Sequence, residues 1–294
     1  MTERPAAPAH GGRGGAVDLS ALRPPFGPEE AARRAEARGA LYFAEHQLRR
    51  LRSYAGTVLG VGVGTPVLYL LAMGIGLAGL VDDAAGPGLG VPYLHFVAPA
   101  LLVSAAMMAG AEENSYTVMA GFKWQRLYLA ARATPLSAGQ LAAGHTLAAS
   151  ARYLLTSGVY YGVLLLFGAV PQPATGWLLV PLGVLAGNAF GLPVMAFAAR
   201  LTEDRGEFAL LQRLVVVPLF LFSGTFFPLS ALPAALQWLG WVSPLWHATQ
   251  LGRVLAYGLA EPAWLTVLHV ACLAALAVTG WLLARRAYAR RLDA

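Results

Sequence analysis

Six apolar stretches, at about residues 56–80, 93–118, 141–167, 177–199, 208–227 and 263–284, limit the possible folds of this chain more than any other feature. Each is near or above the roughly 20 residues that a helix needs to cross a hydrocarbon core. With 57% of its 294 residues hydrophobic, 12% charged and a mean hydropathy of +0.57, the chain has more apolar surface than one globular core could hide. A bilayer solvates the excess. The expected fold class is therefore an all-α integral membrane protein with six transmembrane helices, and no soluble domain of ordinary size fits beside them.

Three regions follow from composition. Residues 1–27 are rich in Pro, Ala and Gly and contain no apolar run of signal-peptide length, so they read as a disordered cytoplasmic tail. Residues 28–54 open with Glu29 and Glu30, which suit the positive end of a helix dipole. They then set Leu41, Phe43, Ala44, Leu48, Leu51 and Tyr54 among Arg49, Arg50 and Arg52, the pattern of an amphipathic helix lying on the inner leaflet; a fully solvated helix is the alternative. Residues 55–294 form the transmembrane domain. Between its fifth and sixth spans, residues 228–262 are apolar but broken by Pro228, Pro233, Gly240, Pro244, Gly252 and Gly258, which favours two short re-entrant helices over another full span.

Charge sets the orientation. Residues 1–54 hold nine Arg, 119–138 hold Lys123, Arg126 and Arg132, 200–213 hold Arg200, Arg205 and Arg213, and 285–294 hold four Arg. The alternate loops, 81–92, 168–176 and 228–262, carry Asp82, Asp83 and Glu261 with Arg253 as their one basic residue. By the positive-inside rule both termini are cytoplasmic, and the expected location is the plasma (inner) membrane. The net charge of +6 is thereby a membrane signature, and no nucleic-acid partner is expected.

Polar residues inside the spans mark candidate sites. Glu112, Glu113 and Asn114 lie in the inner part of the second span and Arg152 about two turns inside the third. Ionised groups at that depth are costly unless paired or wetted, so Glu112 or Glu113 should face Arg152 or a cavity open to the cytoplasm; helices that reach past the bilayer would leave the same groups solvated. Gly56, Gly60 and Gly64 in the first span, and Gly183, Gly187 and Gly191 in the fourth, make two grooves for close helix packing, within the chain or with a second copy. Pro66, Pro181, Pro193 and Pro218 each remove a backbone donor and are candidate kinks.

The connection from Gly121 to Pro135 mixes Phe122, Trp124, Leu127 and Tyr128 with Lys123, Arg126 and Arg132, and predicts a short amphipathic helix ending before the proline. Exposed aromatic and Arg side chains suit a groove on a partner protein, with lipid headgroups as the plainer alternative. Catalytic patterns fail. The six histidines have no close ligand spacing, so no metal is expected, and the lone Cys272 allows no internal disulfide. Glu112–Glu113 suggests the EExxxR motif of intramembrane CAAX-type proteases, but Thr117 stands where that motif has Arg. The one lysine, Lys123, is not in a P-loop, so any ATP hydrolysis belongs to another polypeptide.

In several spaced motifs the chain resembles the membrane permeases of ABC-2 type exporters, especially lipochitooligosaccharide and daunorubicin-type exporters, over roughly residues 40–290. The motifs are Phe96-Val-Ala-Pro-Ala100 with Met107-Met108, Glu112 to Tyr116, Trp124-Gln-Arg-Leu-Tyr128 with Ala133-Thr-Pro-Leu136, and Ser223-Gly-Thr-Phe-Phe-Pro-Leu229 followed by Leu232-Pro233, Ser243-Pro-Leu-Trp-His247 and Arg253. The resemblance implies two permease copies joined to two separate ATP-binding cassette subunits, which would bind the ATP and Mg²⁺ that this chain does not. It makes the 121–135 loop, with Phe122, Lys123, Trp124, Gln125, Arg126 and Tyr128, the coupling helix. It puts the second and fifth spans along the path, with Phe96 and Met107 on it and Phe220, Phe222, Phe226 and Phe227 as an apolar gate; contact with membrane lipid is the alternative for each Phe. The substrate would be amphipathic or hydrophobic, a drug-like molecule or lipid, or else a lipid-linked oligosaccharide or polysaccharide. A membrane-embedded enzyme and a structural membrane subunit are the readings from other classes.

Overall fold

The computed structural model describes residues 27–51, 55–79 and 90–293. The expected tail over residues 1–26, Tyr54, the loop with Asp82 and Asp83, and Ala294 lie outside the described residues. Those described are helical, with no strand among them.

Helix α1 (Pro28–Leu51) begins where Glu29 and Glu30 were expected to start it, and is laced by Glu30–Arg34 and Glu45–Arg49 pairs, each at 2.6 Å. α2 (Ala55–Tyr69) widens into a π-helical stretch at Leu70–Leu77, after Pro66. α3 (Tyr93–Asn114) and α4 (Tyr116–Phe122) form one long rod with a break at Ser115, and α5 (Leu127–Arg132) is a short helix beside it. α6 (Ala138–Leu166) starts at a full capping box, in which Ser137 accepts from the Gln140 amide and the Gln140 side chain accepts from the Ser137 amide. A single turn, α7 (Pro173–Gly176), leads into α8 (Leu179–Arg200). α9 (Glu207–Leu211), a π-helical turn at Gln212–Val216 and α10 (Val217–Phe222) make one continuous segment that accommodates Pro218. The expected helix pair follows as α11 (Ala234–Val242) and α12 (Pro244–Tyr257), the latter capped by the Ser243 hydroxyl, and α13 (Ala263–Leu292) closes the chain.

Three of these rods are long and apolar enough to cross a membrane: Tyr93–Phe122, Pro173–Arg200 and Ala263–Leu292. α6 has the length, but Arg152, Tyr153, Tyr160 and Tyr161 lower its apolarity. The fifth segment, 207–222, spans only about 24 Å at 1.5 Å per residue.

α8 is the hub. It packs against α3, α6 and α13, and the approach is close because glycines meet backbone. A Cβ at Gly110 of α3 would lie 2.5 Å from the Gly187 carbonyl oxygen of α8, and one at Gly280 of α13 would lie 2.4 Å from the Pro193 ring. The Gly183–Gly187–Gly191 groove is thus filled from within the chain, by Ser157, Tyr153 and Asn114. Among the described residues, a Cβ at Gly56, Gly60 or Gly64 of α2 would meet nothing within 4 Å. Of the expected kinks, Pro181 falls in the first turn of α8, where its missing amide has no intrahelical role, and α8 runs on through Pro193.

Two ends result. At one, Arg132 meets Asp293, Arg291 donates to the carbonyls of Ala199 and Leu201, Lys123 meets Glu203, Arg50 donates to Gln125, and Gln140 donates to Ala35 and Glu36. At the other, Tyr93 donates to the Phe226 carbonyl and residues Gln172 and Thr175 bond to Ala256 and Leu255. The described parts of the basic loops therefore share one end of the molecule, and the 168–176 and 228–262 loops share the other.

Candidate functional site

At the basic end, Glu113 is the glutamate that meets Arg152. The two form an ion pair, with 14% of the Glu113 side chain and 30% of Arg152 exposed. Glu112 and Glu113 are successive residues of one helix, about 100° apart, so only one can face α6. The pair borders a cavity of 430 Å³ whose wall also includes Arg50, Trp124, Gln125 and His145. Glu112 is exposed and borders a second cavity, of 520 Å³, with Ser115, Phe208 and Arg213. Asn114 is buried and donates to the Gly110 carbonyl and to the Tyr153 hydroxyl, which ties α3 to α6 beside the glycine contact.

The 121–135 connection departs from the single amphipathic helix expected of it. α4 ends at Phe122, residues Lys123–Arg126 turn, and only Leu127–Arg132 is helical, with Arg126 held at φ 49°. A non-glycine residue in that conformation needs its surroundings to hold it. Phe122 and Tyr128 are correspondingly not exposed: they are buried against one another at 4.6 Å between ring centroids, and both pack on Tyr288 of α13. Their apolar rings close the core beneath the loop, which is the physical reason they turn inward. Burial pushes the Tyr128 phenol above its ordinary range, so it stays neutral. The His145 Nδ1 faces both the Tyr128 hydroxyl, at 3.1 Å, and the Gln47 amide, at 3.2 Å, and accepts from the latter. Trp124 projects outward with 61% of its surface exposed, and Lys123, Gln125 and Arg126 are exposed with it.

The residues expected along the path lie toward the opposite end, except Met107, which is at the middle of its rod. Phe96 and Met107 are enclosed in the bundle rather than facing an opening, because Phe96 lies under Arg253 and Met107 belongs to the main apolar core. Phe220 and Phe226 meet edge to face at 5.1 Å, and Phe222 and Phe227 are half-buried nearby. Two placements were not expected from the sequence. Arg253, 2% exposed, is deep in the bundle, and His247 meets His269 with their Nδ1 atoms 2.6 Å apart although 22 residues separate them. Arg253 was visible as the one basic residue of its side; the histidine pair gave no spacing signal at all. Among the described residues no cluster of three or more His, Cys, Asp or Glu side chains could hold a metal ion.

The sequence pattern that defines the ABC-2 type transporters matches residues 43–257, from α1 through the end of α12. The chain belongs to the ABC-2 type transporter family. Nodulation protein J of Rhizobium meliloti (strain 1021) is 30% identical to it over 240 residues, 80% of this chain and 87% of that protein. The protein of the same name from Rhizobium leguminosarum bv. viciae is also 30% identical over 240 residues, 80% of this chain and 88% of that one. That of Sinorhizobium fredii (strain NBRC 101917 / NGR234) is 29% identical over 236 residues. An ABC-2 permease is a membrane-spanning transport component rather than an enzyme, and in this one the matched region contains the Glu113–Arg152 pair, the Trp124 turn and Arg253, while α13 lies beyond it.

Proposed function

We propose that this ABC-2 permease is the membrane half of an ATP-driven exporter, in which two copies of the chain with six spans each join two ATP-binding cassette subunits at the basic end. The observation that carries this reading is the Lys123–Arg126 turn. Its exposed Trp124 stands on a turn that meets three elements: α1 through Arg50–Gln125, the 201–206 loop through Lys123–Glu203 and α13 through the buried Phe122 and Tyr128. A push on that turn would reach three elements at once, which is what coupling to a cassette requires. The gathering of the basic loops at that end supports cytoplasmic termini, and α1 beside α6 suits the inner membrane surface.

The substrate in this reading is amphipathic and leaves from the cytoplasm or inner leaflet. Its drug-like or lipid form is the first candidate; the motif resemblance to lipochitooligosaccharide exporters favours, as the second, a lipid-linked oligosaccharide or polysaccharide. Reconstitution with a cassette ATPase tests the coupling role. Trp124→Ala with Arg126→Ala should weaken ATPase stimulation about tenfold or more, the scale of an interface hot spot, with the permease still monodisperse. Stimulation and complex formation equal to those of the unaltered chain would count against it.

A further inference from the structure

Arg253 is a fully enclosed cation without an acidic partner among the described residues. Its Nε donates to the Phe96 carbonyl at 3.2 Å, one terminal nitrogen to the Gly224 carbonyl at 2.6 Å, and the other to Gln250 Oε1 at 3.2 Å. The guanidinium carbon also lies 3.6 Å above the centre of the Phe96 ring. Phe96 is in α3 and Gly224 is in the turn that follows α10, so one side chain of α12 grips the ends of the two rods assigned above to the path. Gly224 takes φ 74°, which presents its carbonyl to Arg253, while the neighbouring Ser223 hydroxyl meets Ser243 at 2.5 Å. The other side of α12 is fastened to α13, where His247 meets His269, and to α11, where the His247 Nε2 donates to the Trp241 carbonyl at 3.1 Å. α12 is therefore a bracket fixed on α13, and Arg253 is its reach toward α3 and α10.

We propose that Arg253 is a positioning residue of the outer closure, holding α3 and the turn after α10 against α12, so that opening toward the outside has to break its bond to Phe96 or to Gly224. This rests on the export reading for what the closure serves, though not for the contacts themselves. Three features fit a tie that opens. Neutral carbonyls bind the guanidinium without the permanence of a buried ion pair, whose rupture would strand two charges. The planar fork serves three acceptors in three directions, which a lysine ammonium on the same stem cannot reproduce. The ring of Phe96 also lets the cation stay solvated by a π face when the Gly224 carbonyl leaves.

The test reads the closure directly, with no nucleotide, substrate or ATPase present, so its outcome stands apart from whether the complex exports. Thr225 is fully buried beside Gly224, and Val118 is fully buried toward the opposite end. In a Cys272→Ala background, the purified permease carries Thr225→Cys or Val118→Cys as a maleimide reporter. With Arg253→Lys, labelling at 225 should quicken about tenfold, the factor for losing one hydrogen bond from a charged donor, while labelling at 118 stays unchanged. Phe96→Leu, which keeps the cation and both carbonyls but removes the ring, should give a smaller increase confined to position 225, and it carries the test should the lysine variant not fold. Equal increases at both positions would mean general loosening, and no increase at 225 would mean no tie; either overturns the proposal.

Discussion

Gly110→Val is expected to leave almost no folded permease in the membrane. Gly110 lies where α3 crosses α8, and even one added carbon would sit 2.5 Å from the Gly187 carbonyl oxygen and 3.3 Å from its Cα. Those atoms are backbone, so no side chain can swing aside, and the two helices would have to part. The parting would propagate, because Gly187 in turn is covered by Tyr153 and the Ala106 carbonyl, and Gly191 by Asn114. Overpacking by a methylene or two costs about 1–3 kcal/mol in a core that can relax, and this site cannot, so a loss of roughly 3 kcal/mol or more is expected. Gly162→Ala on α6 is the matched control: nothing lies within 4 Å of its added carbon, and helix propensity makes it neutral or slightly stabilising, by up to about 1 kcal/mol. The monodisperse fraction after detergent extraction reads both variants, and a Gly110→Val permease as abundant as the control would show that the contact is not what the geometry makes it.

Separating Glu113 from Arg152 should have the next largest effect. Arg152→Ala leaves a carboxylate with 14% exposure among helices and without its cation, for which about 3 kcal/mol is expected, the low end of the range for a broken buried pair because Arg152 itself keeps 30% exposure. Glu113→Gln should cost less, since the remaining amide carries no charge. The exchange Glu113→Arg with Arg152→Glu should recover most of the loss in thermal midpoint. Glu112→Gln, on the exposed side of the same helix, should shift the midpoint little. A swap no better than the single variants would mean that the two side chains are stabilised separately.

The residues made some of this legible and hid the rest for identifiable reasons. Apolar length placed the starts of the main rods within three residues, though the last runs eight residues past its expected end, and Pro and Gly spacing marked out the α11–α12 pair, since both signals depend on local chain physics. Charge partition grouped the described loops as they are grouped in space. The ion pair was legible only as a choice between Glu112 and Glu113, because sequence gives their separation around a helix but not the rotation of that helix. The 121–135 connection misled for a similar reason: aromatic and basic residues look alike whether they face outward or inward. Trp124 faces out, while Phe122 and Tyr128 are drawn into a core completed by Tyr288, some 160 residues later in the chain. Phe96 and Met107 were expected along a path and instead are enclosed, because an apolar side chain gives no sign of which apolar neighbour it meets. Likewise the two glycine grooves read the same, yet one is filled by Ser157, Tyr153 and Asn114 and the other meets none of the described residues.

The orientation of the basic end relative to the membrane decides whether a cassette ATPase can reach the Trp124 turn. Trp124→Cys in the Cys272→Ala chain offers a single exposed thiol there, to be treated with a membrane-impermeant maleimide in intact cells and in inside-out vesicles. Labelling confined to the inside-out vesicles is the predicted result; labelling of that thiol in intact cells would contradict the account.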